Sequence, residues 1–148
     1  MEMKNRATSM LALAGLFLVL AVAKVPGQTP TKVVVNVPFD FMAGKANLKA
    51  GTYSIRRLNG NALSIRSADG RTSAIVNAPL TIGSRDFKAG ERLVFNRYGT
   101  EYFLSQVWLS VDSGRQLHTT GKEEKTATEF RITHNGAKPE RVEVATTK

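Results

Sequence analysis

The chain has 148 residues, a formal charge of +9, two histidines and no cysteine. That length suggests one domain. Without cysteine, disulfides, thiol chemistry and cysteine-ligated metal sites are excluded, and a fold must hold by packing alone.

The first 27 residues read as an export signal. Lys4 and Arg6 form a basic start, and Met10 to Ala23, "MLALAGLFLVLAVA", is a 14-residue apolar run. This is shorter than the ~20 residues that span a bilayer and fits a signal core. Small-residue cleavage patterns end at Ala23 and at Gly27. Cleavage after Gly27 is preferred, and an uncleaved N-terminal anchor is the alternative. The expected layout is a signal helix over 1–27, a linker over 28–31, one all-β domain over 32–145 and a frayed tail over 146–148. The expected location is the periplasm or the exterior. Without Glu2, Lys4, Arg6 and Lys24, 18 basic residues stand against 11 acidic ones, a charge of +7. Such a surface attracts anionic partners, although its spread-out charge equally fits a solvated face.

From Lys32 the chain alternates short β-rich runs with turn signals, the pattern of an antiparallel sandwich or flattened barrel of about eight strands. "KVVVNVPFDF" puts Val33, Val35, Val37, Phe39 and Phe41 on one face. Pro38 cannot donate to a ladder, so this strand lies at an edge or breaks there. Asp40, on the outer face, could pair across strands with Arg56 or Arg57. "TYSIRRL" turns Tyr53 and Ile55 inward, and Asn59-Gly60 predicts a hairpin into "ALSIRS". Asp69-Gly70 predicts a second hairpin into "TSAIVNA". Pro79 to Gly90 reads as a connection. "ERLVFNRY", a turn at Gly99 and "EYFLSQVWLSV" follow, and Asp112 to Gly114 closes that strand. Gly114 to Thr128 reads as a polar loop or a short helix. "EFRITH" reads as a strand with Phe130 and Ile132 inward, and "RVEVA" as the last strand.

An echo links Lys49-Ala50-Gly51 to Lys88-Ala89-Gly90, each followed nine residues later by a glycine. The apolar phase differs, since Tyr53 and Ile55 align with Arg92 and Val94 rather than with Leu93 and Phe95.

Chemistry-bearing patterns are sparse. His118 and His134 share no metal-ligand spacing. Ser110, Asp112 and His118 are close in sequence, but a triad is defined by geometry and no Gly-x-Ser-x-Gly elbow is present. Asp69 and Asp112 fall in turns. No catalytic residue, metal ligand or cofactor is assigned, and the chain is read as a non-enzyme. Arginines interleaved with aromatics along the strands suggest an anion or partner surface. Arg56, Arg57, Arg66 and Arg97 are its candidate residues, within a wider set that includes Arg71 and Arg115. Side chains of this kind can bind single-stranded nucleic acid, but export makes that partner unexpected.

"VPFDFMAG…LKAGTYSI" and "FNRYGTEYFLSQVWLSVDSGR" resemble a family of small exported, uncharacterised bacterial β-proteins. In that family Val-Pro-Phe-Asp-Phe precedes an Ala-Gly-x-Tyr strand, and Tyr-Phe-Leu-Ser-Gln-x-Trp leads to a Gly-Arg. The resemblance covers Val37 to about Lys125 and implies an exported β domain. It carries over no reaction, cofactor or site residue.

"YFLSQVWLSV" poses the sharpest question. A period of two places Phe103, Ser105, Val107 and Leu109 on one face and Tyr102, Leu104 and Trp108 on the other. Both faces then need cover. A membrane barrel is disfavoured, because its strands need ~9–11 residues with a lipid-facing apolar band. The chain's own polar segment after Gly114 is the expected cover. A lipophilic ligand in a cavity lined by Tyr102, Leu104 and Trp108 is the alternative. The expected function is therefore a non-catalytic cell-envelope binding or interaction module, monomeric or weakly associating and not integral to the membrane after cleavage. Its expected partner is an envelope component or anionic polymer, and a small-ligand carrier is the alternative.

Overall fold

The computed structural model describes residues 31–86 and 88–147; the expected signal helix lies outside them. The described residues form an all-β sandwich of eleven strands with one helix. Strands β1 (Lys32–Val37), β4 (Gly51–Arg57), β5 (Ala62–Ser67) and β6 (Ser73–Asn77) form one antiparallel sheet in the order β1-β4-β5-β6. The second sheet runs β11 (Glu140–Ala145), β8 (Arg92–Tyr98), β9 (Glu101–Trp108), β10 (Ser113–Gln116) and β7 (Leu80–Gly83). A short hairpin of β2 (Phe41–Ala43) and β3 (Ala46–Leu48) joins it through Met42 opposite Phe103 of β9.

The predicted alternation explains the first sheet. Val33, Val35, Val37, Tyr53, Ile55, Leu63, Ile65, Ala74 and Val76 all point into one core. Both hairpin dipeptides turn the chain as expected. Gly60 has φ 65°, a left-handed value that costs glycine little and a side-chain-bearing residue more. Asp69 locks the second turn, accepting from Ser67 Oγ at 2.6 Å and Arg71 N at 3.0 Å. These bonds lower its pKa.

Pro38 does both things predicted of it. β1 is an edge strand that ends at Val37, and the chain then crosses to the second sheet to begin β2. Phe39, on the crossing, stacks on Tyr102 with centroids 3.8 Å apart, while Phe41 meets Tyr53 and Phe95 edge-on in the core. Asp40 does not reach Arg56 or Arg57. It accepts from Lys49 Nζ and Ala50 N, both at 2.8 Å, because the β2–β3 hairpin returns Lys49 beside it. These contacts hold the Asp40 carboxyl below its usual range.

The sandwich closes along two seams. On one, Ala78 and Pro79 carry the chain straight from β6 to β7, so the expected connection after Pro79 contains a strand. On the other, the end of β11 meets β1. Val35 bridges to Thr146, and Thr147 N donates to Val34 O at 2.8 Å. Thr146 and Thr147 are thus tied down rather than frayed, because the outer edge of β1 offers backbone groups that need partners.

Two further expectations fail around the polar segment. Ser113–Gln116 is β10, paired with β7 and β9, and not part of a loop. "EFRIT" is helical and belongs to α1 (Gly121–Thr133). Thr120 caps that helix by accepting from Glu123 N, and Glu123 and Glu124 occupy its first turn, where negative charge suits the exposed N–H groups. Ile132, expected inward, is 74% exposed.

The two Lys-Ala-Gly segments each lead into the first strand of a three-stranded meander, β4-β5-β6 in one sheet and β8-β9-β10 in the other. Their inward phases differ by one residue, since Tyr53 and Ile55 face the core in β4 and Leu93 and Phe95 in β8.

Candidate functional site

β9 does not keep one phase along its length. Phe95 pairs with Leu104 but Val94 with Gln106, so Ser105 is an extra residue, a β-bulge. Its carbonyl is used by Leu117 N at 2.8 Å, beyond the end of β10. The bulge resets the faces. Tyr102 and Leu104 before it, and Val107 and Leu109 after it, all face the core. Phe103 and Trp108 face outward, yet both are buried.

The three residues expected to line one apolar cavity therefore separate. Leu104 is 3% exposed inside the core. Tyr102 is half-buried between Phe39 and the guanidinium of Arg97, 5.5 Å from its ring. Trp108, 4% exposed, lies on the opposite face of the sheet. There the Arg92 guanidinium sits 4.4 Å from its ring centroid, and its Nε1 donates to Gln106 Oε1 at 3.1 Å. Gly114, its cross-strand partner, lets the ring lie flat on the backbone: a Cβ there would come within 2.6 Å of Trp108 Cδ2. Arg92 is itself buried, with Nε 3.3 Å from Glu143 Oε2, an ion-pair distance without hydrogen-bond alignment.

α1 covers the other end of this outer face. Glu123 Oε1 accepts from Asn96 Nδ2 at 3.0 Å and from the Tyr98 hydroxyl at 3.5 Å, and Phe130 packs edge-on against Tyr98. Burial pushes the Glu123 carboxyl above its usual range, and burial with the adjacent Glu123 charge raises the Tyr98 hydroxyl. The polar segment thus packs over Asn96 and Tyr98, not over Leu104 and Trp108 as expected.

The four candidate arginines also divide. Arg56 and Arg66 share the outer face of the four-stranded sheet. Register sets Lys32 opposite Arg56, Arg56 opposite Ser64, Ser54 opposite Arg66 and Arg66 opposite Ser73. These six residues, with Gly70 and Ile75, line a shallow trough of about 500 Å³. No carboxylate lines it, and among the described residues none lies within ion-pair distance of Lys32, Arg56 or Arg66. Ile75 adds an apolar surface that is 72% exposed. Arg97 stands on the other sheet, paired with Glu140 at 3.1 Å and donating to Gly99 O. Arg57 projects from the inward side of β4 at one end of the sandwich and lines a small cleft with Arg115.

The imagined triad does not assemble. Ser110 donates to Asp112 Oδ1 within the β9–β10 turn, whereas His118 lies beyond the far end of β10, exposed, with its N–H on Asn77 O. His134 caps α1 and stacks on Phe130.

The fold and this surface define a two-sheet β-sandwich whose outer four-stranded face carries Lys32, Arg56 and Arg66 without carboxylate partners among the described residues. No family model, curated protein or solved structure matches the chain.

Proposed function

We propose that this chain is an exported, non-catalytic interaction module of the cell envelope that takes an anionic polysaccharide on the outer face of the four-stranded sheet. The observation that carries the reading is the Lys32–Arg56–Arg66 group. Three cations stand on one sheet face, spaced by the serines Ser54, Ser64 and Ser73, with no carboxylate lining the trough. Strand pairing fixes the backbone spacing of these residues, so the ordering that binding requires is confined to their side chains. Repeating negative charge would meet the cations, and the serine hydroxyls can donate to sugar or acid oxygens. The +7 balance expected after signal removal adds long-range attraction.

The packing of Trp108 against Arg92 and Gly114 favours this reading over carriage of a lipophilic molecule at that residue. The test is chromatography of the domain on immobilised dextran sulfate. Wild type is expected to elute late with salt. The K32Q/R56Q/R66Q variant, altered only at exposed positions, is expected to elute far earlier, while R97Q stays near wild type. Equal elution of the triple variant and wild type overturns the proposal.

A further inference from the structure

A second cationic site lies at one end of the sandwich, away from the sheet face. Arg115 of β10 is only 9% exposed, and among the described residues no carboxylate lies within ion-pair distance of it. Its side chain spans the two sheets. Nη1 donates to Thr81 Oγ1 of β7, and Nη2 to Gly60 O and Asn61 Oδ1 of the β4–β5 turn. Every one of these acceptors is neutral. Nε is buried and has no hydrogen-bond partner among the described residues.

A buried cation held only by neutral groups is costly, because desolvation of the charge is not offset by an opposite one. The surroundings offer a place for the missing charge. Arg115 opens on a cleft of about 140 Å³ that it shares with Arg57, Thr81, Leu109, Ser110 and Ser113. Arg57 adds an exposed guanidinium with no carboxylate within ion-pair distance among the described residues. The Thr81 oxygen accepts from Arg115, which leaves its own hydrogen to donate. The nearest acid in sequence, Asp112, accepts from Ser110 Oγ at 3.0 Å in the turn and does not reach either arginine.

We infer that this cleft binds one compact oxyanion group, a phosphate, sulfate or carboxylate, between the guanidiniums of Arg57 and Arg115. Two positive charges and a hydroxyl donor suit such a group, and the exposed Arg57 guanidinium can meet two of its oxygens at once. A cleft of about 140 Å³ has room for one such group. The bound anion would clamp β10 to β4, so occupancy should stiffen this end of the sandwich.

The experiment is thermal unfolding of the protein in inorganic phosphate, sulfate or acetate, each against chloride at equal ionic strength. Wild type should show a rise in midpoint of a few degrees that saturates at millimolar anion in at least one series. The series that saturates names the anion class. General salting-out also stabilises proteins, but it does not saturate and does not depend on one arginine. The exposed change R57Q should therefore abolish the saturable part and leave the rest. R115K, which keeps charge but loses the fork, should weaken it at least tenfold in midpoint concentration. No saturable rise in any anion, or an undiminished rise in R57Q, overturns the inference. R56Q/R66Q separates the two sites. If that variant alone loses the rise, the anion sits on the sheet face and this inference fails. If dextran sulfate binding is absent while the R57Q-sensitive rise persists, only the sheet-face reading fails.

Discussion

Replacing Gly114 with alanine adds a single methyl group at the one place where β10 and Trp108 meet without side-chain space between them. The built Cβ lies 2.6 Å from Trp108 Cδ2 and 2.8 Å from Cε2 and Cε3. Carbon atoms settle at ~3.5–4.0 Å, so the ring must retreat by roughly 1 Å. It cannot do so freely, because Arg92 lies on it at 4.4 Å and Nε1 is tied to Gln106. The backbone of Gly114 is not left-handed, so the effect is steric and not conformational. Overpacking of this kind costs ~1–3 kcal/mol. Partial loss of a desolvated cation–π contact falls within that range. For a domain of this size a cost near ~2 kcal/mol lowers the melting midpoint by about 5–10 °C. Trp108 is the sole tryptophan, so the assay reads the perturbed group directly. Emission of the folded G114A protein should move to the red as the ring gains solvent, alongside the lower midpoint. G83A is the control, since a Cβ there meets only Asp112 O at 3.9 Å. Unchanged emission and a midpoint within 1 °C of wild type in G114A would refute the packing described for Trp108.

Glu123 makes stability depend on pH in the sense opposite to most carboxylates. Burial, and to a smaller degree the neighbouring Glu124 charge, raises its folded pKa above the ordinary 4.5, so the folded state holds the proton more tightly than the unfolded one. Its contribution is fully present below the unfolded pKa and is lost as pH rises through the folded pKa. E123Q keeps an acceptor for Asn96 and carries no charge; it should be at least as stable as wild type at pH 7, with the gap closing toward pH 4. A loss above ~1 kcal/mol at pH 7 that does not narrow on acidification would contradict this. Asp40 and Asp69 act the other way: their lowered pKa values give stability that is lost as pH falls below the ordinary 3.8. T120A removes the cap of α1 and should cost ~1 kcal/mol, read as faster amide exchange over residues 121–133, with T120S close to wild type. Slow exchange there in T120A would show that the helix is held by its sheet contacts alone.

The first sheet was legible because each local signal agreed with the next. Valines alternate, Asn-Gly and Asp-Gly turn the chain, and Pro38 stops a strand at an edge. The second sheet was less so, and one residue accounts for much of it. Nothing about Ser105 announces a bulge, yet the bulge reverses the faces of every later residue in β9 and sends Trp108 away from Tyr102 and Leu104. The helix was hidden for another reason. Phe130, Ile132 and Thr133 are strand formers, and α1 has no apolar stripe to reveal a period of 3.6. The readable sign was Thr120 followed three residues later by Glu123, the start pattern of a capped helix. Lys32 lies opposite Arg56, and Arg66 lies opposite Ser54, two residues from Arg56; only the strand register brings the three together. Arg115 reads from sequence as one more surface cation, and its burial follows from β10, a strand that the short polar "SGRQ" does not suggest.

The seam between β1 and β11 bears on how the chain reaches this state. Thr147 Oγ1 and Val34 O, joined at 3.2 Å, are 113 residues apart. Closing so long a loop pays chain entropy before the contact returns any free energy, which makes such a pairing a late event. The two meanders are local and can form first, each from strands joined by short turns. Until β11 docks, β1 presents a bare edge and the sandwich stands open along one side. That interval, rather than the finished fold, is when this cysteine-free domain is most exposed to pairing with another copy of itself.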